Sequence, residues 1–91
     1  MNMDIQGRIA EILRQEAQAI ASVAVTPGFE HAVLAMRDCA GKVITTGMGK
    51  AGHVARKFAA TLSSTATPAA YLHPGEAAHG DLGLIAPNDC I

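Results

Sequence analysis

Apolar positions recur with helical spacing at the start of the chain. Ile5, Ile9, Ile12, Leu13, Ile20 and Val23 share one side of a helix predicted over residues 4–24, with Arg8, Glu11, Arg14 and Gln15 mostly opposite. Asp4 stands where an N-cap is needed. This stripe suits a sheet or a second subunit equally well. Thr26-Pro27-Gly28 then signals a second helix, with Thr26 as cap and Pro27 at the first helical position, where a missing N–H costs nothing. Phe29, Val33 and Met36 form its apolar side, and it is expected to stop near Gly41.

The pattern changes at residues 42–46, a β-branched run between glycines that reads as a buried strand. A glycine loop follows, and then the clearest helix. Ala51, Val54, Ala55, Phe58, Ala59 and Leu62 repeat at helical intervals, and their small side chains favour close approach to a sheet. His53, Arg56 and Lys57 take its outer face. After a polar turn at residues 63–68, residues 69–72 form a second short strand. Strand, helix and strand make a βαβ unit with a right-handed crossover. Pro87-Asn88-Asp89 reads as a turn, and Cys90-Ile91 as the opening of a third strand. A parallel sheet needs its faces and edges covered. The expectation is therefore that residues 1–91 are the amino-terminal part of a larger single domain. No repeat, linker or low-complexity segment interrupts them.

Composition sharpens this picture. The 91 residues are 49% hydrophobic and 16% charged, which is a globular and not a disordered balance. The net charge of -1 gives no broad cationic field, so general nucleic-acid binding is not expected. No apolar run approaches the roughly 20 residues that span a bilayer. The first residues lack a signal peptide's basic start and apolar core. Cys39 and Cys90 lie far apart without metal spacing, as expected of reduced thiols in a cytoplasmic protein. Aromatics are only 3%. Small side chains bury little area each, so a domain of this size needs further chain or a partner subunit.

Two stretches carry candidate chemistry. Gly47-Met48-Gly49-Lys50-Ala51-Gly52 satisfies G-x-G-x-x-G between a strand and a helix. Glycines there allow positive φ and close backbone approach, the helix start offers free N–H groups to an anion, and Lys50 adds positive charge. The plainer reading is a tight turn with a solvated lysine. A dinucleotide fold wants an acidic residue about 20 positions on, at the end of the second strand. Tyr71-Leu72-His73 stands there instead. The P-loop order is also absent.

His73, Glu76, His79 and Asp81 follow the second strand directly, at the end where open α/β sheets bind ligands. Glu76 and His79 are at i, i+3 and share a face if the stretch is helical. Carboxylate beside imidazole suits the proton shuttling of an aldose–ketose isomerisation. Local capping and pairing is the bland alternative. His73 and His79 with Glu76 or Asp81 are also conceivable zinc ligands, though their spacing matches no standard zinc pattern. His31 and His53 are read as surface residues, and Cys39 as packing.

These stretches, with Ser64-Thr65-Ala66-Thr67-Pro68 and the run His73-Pro74-Gly75-Glu76-Ala77-Ala78-His79-Gly80-Asp81-Leu82-Gly83, resemble the sugar isomerase (SIS) domain of the bacterial D-arabinose 5-phosphate isomerase family. The likeness runs over essentially the whole chain. It implies a three-layer α/β/α fold, flavodoxin-like, on a five-stranded parallel sheet. Of that fold this sequence carries two N-terminal helices, a βαβ unit and the start of a third strand. It implies interconversion of D-ribulose 5-phosphate and D-arabinose 5-phosphate for Kdo and lipopolysaccharide or capsule synthesis, in a homotetramer, usually with a following pair of CBS domains. No cofactor is required, and zinc is found at the matching histidine in some members.

By resemblance, Lys50 is catalytic and His79 contacts substrate; Glu76, beside His79, is read as its partner in handling protons, so Lys50, His79 and Glu76 are the candidate catalytic residues. Gly49, Lys50, Ala66, Thr67, His73 and His79 bind substrate, and His73 is the residue that would hold zinc. The family usually has glycine where this sequence has Ala66, which strains if the position needs positive φ. The phosphate-binding Ser/Thr loop and further catalytic groups of the family lie beyond these 91 residues, so the chain by itself is expected to be inactive. The competing expectation is a non-catalytic SIS module that binds a phosphosugar and regulates a partner.

Overall fold

A computed structural model describes residues 2–91. The first helix, α1 (Ile5–Ala21), starts where Asp4 accepts a hydrogen bond from the Gly7 N–H at 2.9 Å. It ends short of the predicted residue 24. Ser22 caps it, and the β-branched residues that follow run into Pro27, whose ring disfavours helix in the residue before it. The second helix, α2 (Pro27–Arg37), has proline in its first turn as expected. Thr26, however, caps through its backbone: its side chain makes no capping bond, and its carbonyl accepts from the Phe29 N–H at 3.0 Å. The helix stops at Arg37, short of Gly41, with Asp38 as its C-cap.

The predicted βαβ unit is the centre of the molecule. Strand β1 (Val43–Thr46) pairs in parallel with β2 (Ala69–Leu72), in the register Val43–Ala69 to Thr46–Leu72, and α3 (Gly49–Ser64) crosses between them. Val43, Ile44, Ala55, Ala59 and Leu72 form the buried core. Its alanines let α3 lie close to the strands. Thr45 is buried too, and its hydroxyl is satisfied by donating to the Ala55 carbonyl at 2.7 Å. Helix α4 (Pro74–Ala78) and a 3₁₀ turn (Asp81–Leu84) follow β2.

The chain then returns to β1. Cys90 makes a parallel bridge to Val43, on the edge of β1 away from β2, as the predicted opening of a third strand requires. Asp89 fastens this return. Its carboxylate accepts from the Lys42 ammonium at 2.6 Å, the Lys42 N–H at 2.9 Å and the Ala86 N–H at 2.7 Å. The Lys42 bond, then the two backbone donors, hold its pKa down at about 2.

Two apolar surfaces stay uncovered. A groove of ≈ 590 Å³ runs beside β1, lined by Met36, Ile44, Ala51, Val54, Phe58 and Ile91 among others. The α3 stripe is thus split: Ala55 and Ala59 meet the sheet, while Val54 and Phe58 face the groove. The second surface is the face of α1, which packs on no other element beyond marginal contact.

Candidate functional site

The loop between β1 and α3 is shaped by close backbone contacts. Gly49 sits at φ +59°, a conformation that favours glycine. A side chain on Gly52 would come within 2.7 Å of the Gly47 carbonyl oxygen and 3.0 Å of the Tyr71 hydroxyl. The Tyr71 hydroxyl donates to that same Gly47 carbonyl at 2.5 Å, pinning the loop to the end of β2. Met48, the N-cap residue of α3, offers no side-chain acceptor. The first N–H groups of a 16-residue helix are therefore left without a side-chain cap, at the helix end that favours anions.

Beside this loop lies a cleft of ≈ 210 Å³ lined by Gly49, Gly52, His53, Arg56, Tyr71 and His73. Arg56 lies over the Tyr71 ring, its guanidinium carbon 4.2 Å from the centroid, a cation–π arrangement that holds a positive charge in place. His73 is half-buried and accepts the Gly75 N–H on Nδ1 at 2.9 Å, capping α4. The apolar groove beside β1 is larger, but no charged side chain or histidine lines it. The polar cleft, at the carboxyl end of the parallel strands, is the better candidate for binding a small polar ligand.

The structure brings together only some of the residues the sequence singled out. Gly49 and His73 share the cleft. Lys50 is the second residue of α3, Glu76 lies in α4 and His79 is the α4 C-cap; all three are exposed and lie outside the cleft lining. Glu76 and His79 do fall one helical turn apart, as their spacing predicted, and the His79 N–H donates to the Glu76 carbonyl at 3.0 Å. Ala66 and Thr67 stand apart. They follow the far end of α3, about 21 Å of helix from Lys50, and line a separate groove with Arg37, Cys39 and Pro68. The crossover helix carries the chain from one end of the sheet to the other, so the two candidate stretches lie at opposite ends.

Zinc at His73 fits poorly. A histidine that binds metal through one ring nitrogen normally donates its other N–H to a neighbour. Here Nδ1 accepts. Among the described residues no three histidines, cysteines or carboxylates converge on a common point.

His53, Arg56 and Tyr71 escaped the sequence reading, which left the first two on an outer face and the third in a strand. Their spacing held the signal. Gly49, His53 and Arg56 are at i, i+4 and i+7 on one helix face, and Tyr71 and His73 are at i and i+2 along the run of β2.

Residues 35–91 match the SIS domain model. The arabinose 5-phosphate isomerase KdsD of Escherichia coli K12 is 46% identical over 90 residues, which are 97% of this chain and 27% of that protein. KdsD of Yersinia pestis is 44% identical over 91 residues, 98% of this chain and 28% of its own length. The chain thus spans little more than a quarter of these relatives. Among solved structures, a protein of E. coli CFT073 in complex with arabinose 5-phosphate superposes with a TM-score of 0.81 at 42% identity, over 98% of this chain and 49% of that one. A Bacteroides fragilis protein named for phosphosugar isomerisation in capsule formation gives 0.89 at 44%, over 93% of this chain and 46% of that one. With an incomplete α/β sheet, a glycine loop at its carboxyl end and a family match over most of its length, the chain belongs to the SIS domain family.

Proposed function

We propose that this chain is the amino-terminal part of an aldose–ketose isomerase acting on D-arabinose 5-phosphate and D-ribulose 5-phosphate, in the supply of Kdo for lipopolysaccharide or capsule. The observation that carries this is the polar cleft of Gly49, His53, Arg56 and His73 at the carboxyl end of β1 and β2, in a chain whose relatives are named as isomerases of that sugar. Isomerisation moves one proton between C1 and C2 through an enediolate and takes no cofactor. Lys50, at the α3 N-terminus, offsets negative charge on the phosphate or the enediolate. His79, with Glu76, orients hydroxyls and passes protons once the rest of the domain closes over them. The reaction belongs in the cytoplasm, in keeping with two free thiols, and the enzyme is a homo-oligomer. Among the described residues no helix is long and apolar enough to cross a membrane.

A second reading, a regulatory module that binds a phosphosugar without turning it over, draws on the position of Lys50, Glu76 and His79 outside the cleft lining. Fusing these 91 residues to the remainder of the E. coli isomerase separates the two. Turnover that is lost in Lys50→Ala and His79→Ala, with ligand affinity kept, supports the enzyme. A fusion that binds D-arabinose 5-phosphate and never converts it supports the module. The 91 residues alone are expected to show no turnover.

A further inference from the structure

Cys39 and Cys90 are far apart in the sequence, and the proposed reaction uses neither. The fold brings them together at the amino end of β1, where the chain returns beside that strand. The Cys39 thiol lies between two carbonyl oxygens, that of Lys42 at 3.5 Å and that of Asn88 at 3.4 Å. The Cys90 N–H donates to the same Lys42 carbonyl at 3.1 Å. A single oxygen atom therefore stands between the sulfur of one cysteine and the backbone of the other. The two segments are pressed close here. The Gly41 N–H donates to the Asn88 carbonyl at 3.0 Å, and a side chain on Gly41 would run into the Asp89 carboxylate and come within 2.8 Å of that carbonyl oxygen.

The side-chain directions agree with this approach. Cys90 is paired in parallel with Val43, so the two project from one face of the sheet. Met36 and Val43 wall both the groove that Cys90 lines and the smaller hollow that Cys39 lines. Both thiols are free and half-buried, within reach of a small oxidant. Among the described residues no third histidine, cysteine or carboxylate joins them, which makes a redox pair and not a metal site. We infer that Cys39 and Cys90 are an oxidation site, a dithiol that a hydroperoxide converts to an intramolecular disulfide. One sulfur attacks the peroxide, the O–O bond breaks, and a sulfenic acid and one water form. The second sulfur attacks the first, the S–S bond forms, and the sulfenic oxygen leaves as a second water. Two electrons pass from the sulfurs to the peroxide, and both thiol protons end in the waters. The closed ring encloses β1, α3 and β2, and it staples the returning chain to β1 beside the Lys42–Asp89 ion pair. The site stands apart from the isomerase reading and is tested without substrate.

Hydrogen peroxide added to the reduced full chain tests it, read by thiol alkylation, peptide mapping and non-reducing gels, with circular dichroism as the check on folding. Both thiols are expected to disappear together, within single chains, with the Cys39 and Cys90 peptides joined until dithiothreitol parts them. Closure is expected to be at least about tenfold faster in the folded chain than in urea, because the fold holds the sulfurs near each other. The oxidised chain should have a raised denaturation midpoint, since the cross-link restricts the unfolded chain. Cys39→Ser and Cys90→Ser should each abolish the intramolecular product. The comparison of folded and urea-unfolded chain uses the wild type alone, so it decides the matter even where a serine variant does not fold. Thiols oxidised independently of each other, cross-links only between chains, closure as fast in urea, or a midpoint that does not rise overturns the inference.

Discussion

The Tyr71 hydroxyl and the Gly47 carbonyl are joined at 2.5 Å, and Gly52 has no side chain because that junction fills the space where one would go. The glycine loop is thus held from β2 as well as from its own helix. Tyr71→Phe removes one hydrogen bond and should cost about 1 kcal/mol of stability. Gly52→Ala drives a methyl group against backbone and should cost more, about 1–3 kcal/mol, while shifting the loop. Urea denaturation of the two variants checks the order; equal effects would argue against the close packing.

Ala66 has φ +71°, the only positive φ among the described residues that are not glycine. It closes α3 in a Schellman arrangement, in which the Thr67 N–H donates to the Leu62 carbonyl at 2.9 Å and the Ala66 N–H to the Ser63 carbonyl at 3.4 Å. Glycine is the usual residue at that position, and alanine carries a steric cost there. Ala66→Gly should therefore stabilise the fold by about 1 kcal/mol, the reverse of glycine's usual effect next to a helix interior. A raised denaturation midpoint is the expected result.

Acid should loosen the return of the chain to β1. Asp89 has its pKa lowered from 3.8 to about 2, first by the Lys42 hydrogen bond. A carboxylate with a depressed folded-state pKa contributes stability above its unfolded value and loses it as pH falls through the folded one. That contribution is present above pH 3.8 and disappears towards pH 2. Asp89→Asn should be less stable at neutral pH and should lack the part of the acid-induced decline that falls in this window. Stability measured against pH for both proteins tests it; parallel curves would contradict the assignment.

Much of the fold was legible because local and global signals agree. The β-branched run at Val43–Thr46, the alanine-lined periodicity of α3 and the glycines between them all specify a βαβ unit, and the structure has it. The candidate site was less legible. Periodicity reports which side of an element is apolar, not where its polar side chains reach. Arg56, set on an outer face by its spacing, instead lies on the Tyr71 ring. Ala66 and Thr67 are near the other candidate residues in sequence, but a helix crossing the sheet puts them at its opposite end. The stripe of α1 is plain in the sequence, and the helix exposes it.

The central claim is that a sugar phosphate binds at the carboxyl end of β1 and β2. Titration of the ¹⁵N-labelled chain with D-arabinose 5-phosphate, followed by backbone amide shifts, tests it most directly. Saturable shifts are expected at Gly49, Lys50, Gly52, His53 and His73, with Ala66 and Thr67 unmoved. Shifts centred on Ala66 and Thr67, or none at the glycine loop, would contradict it.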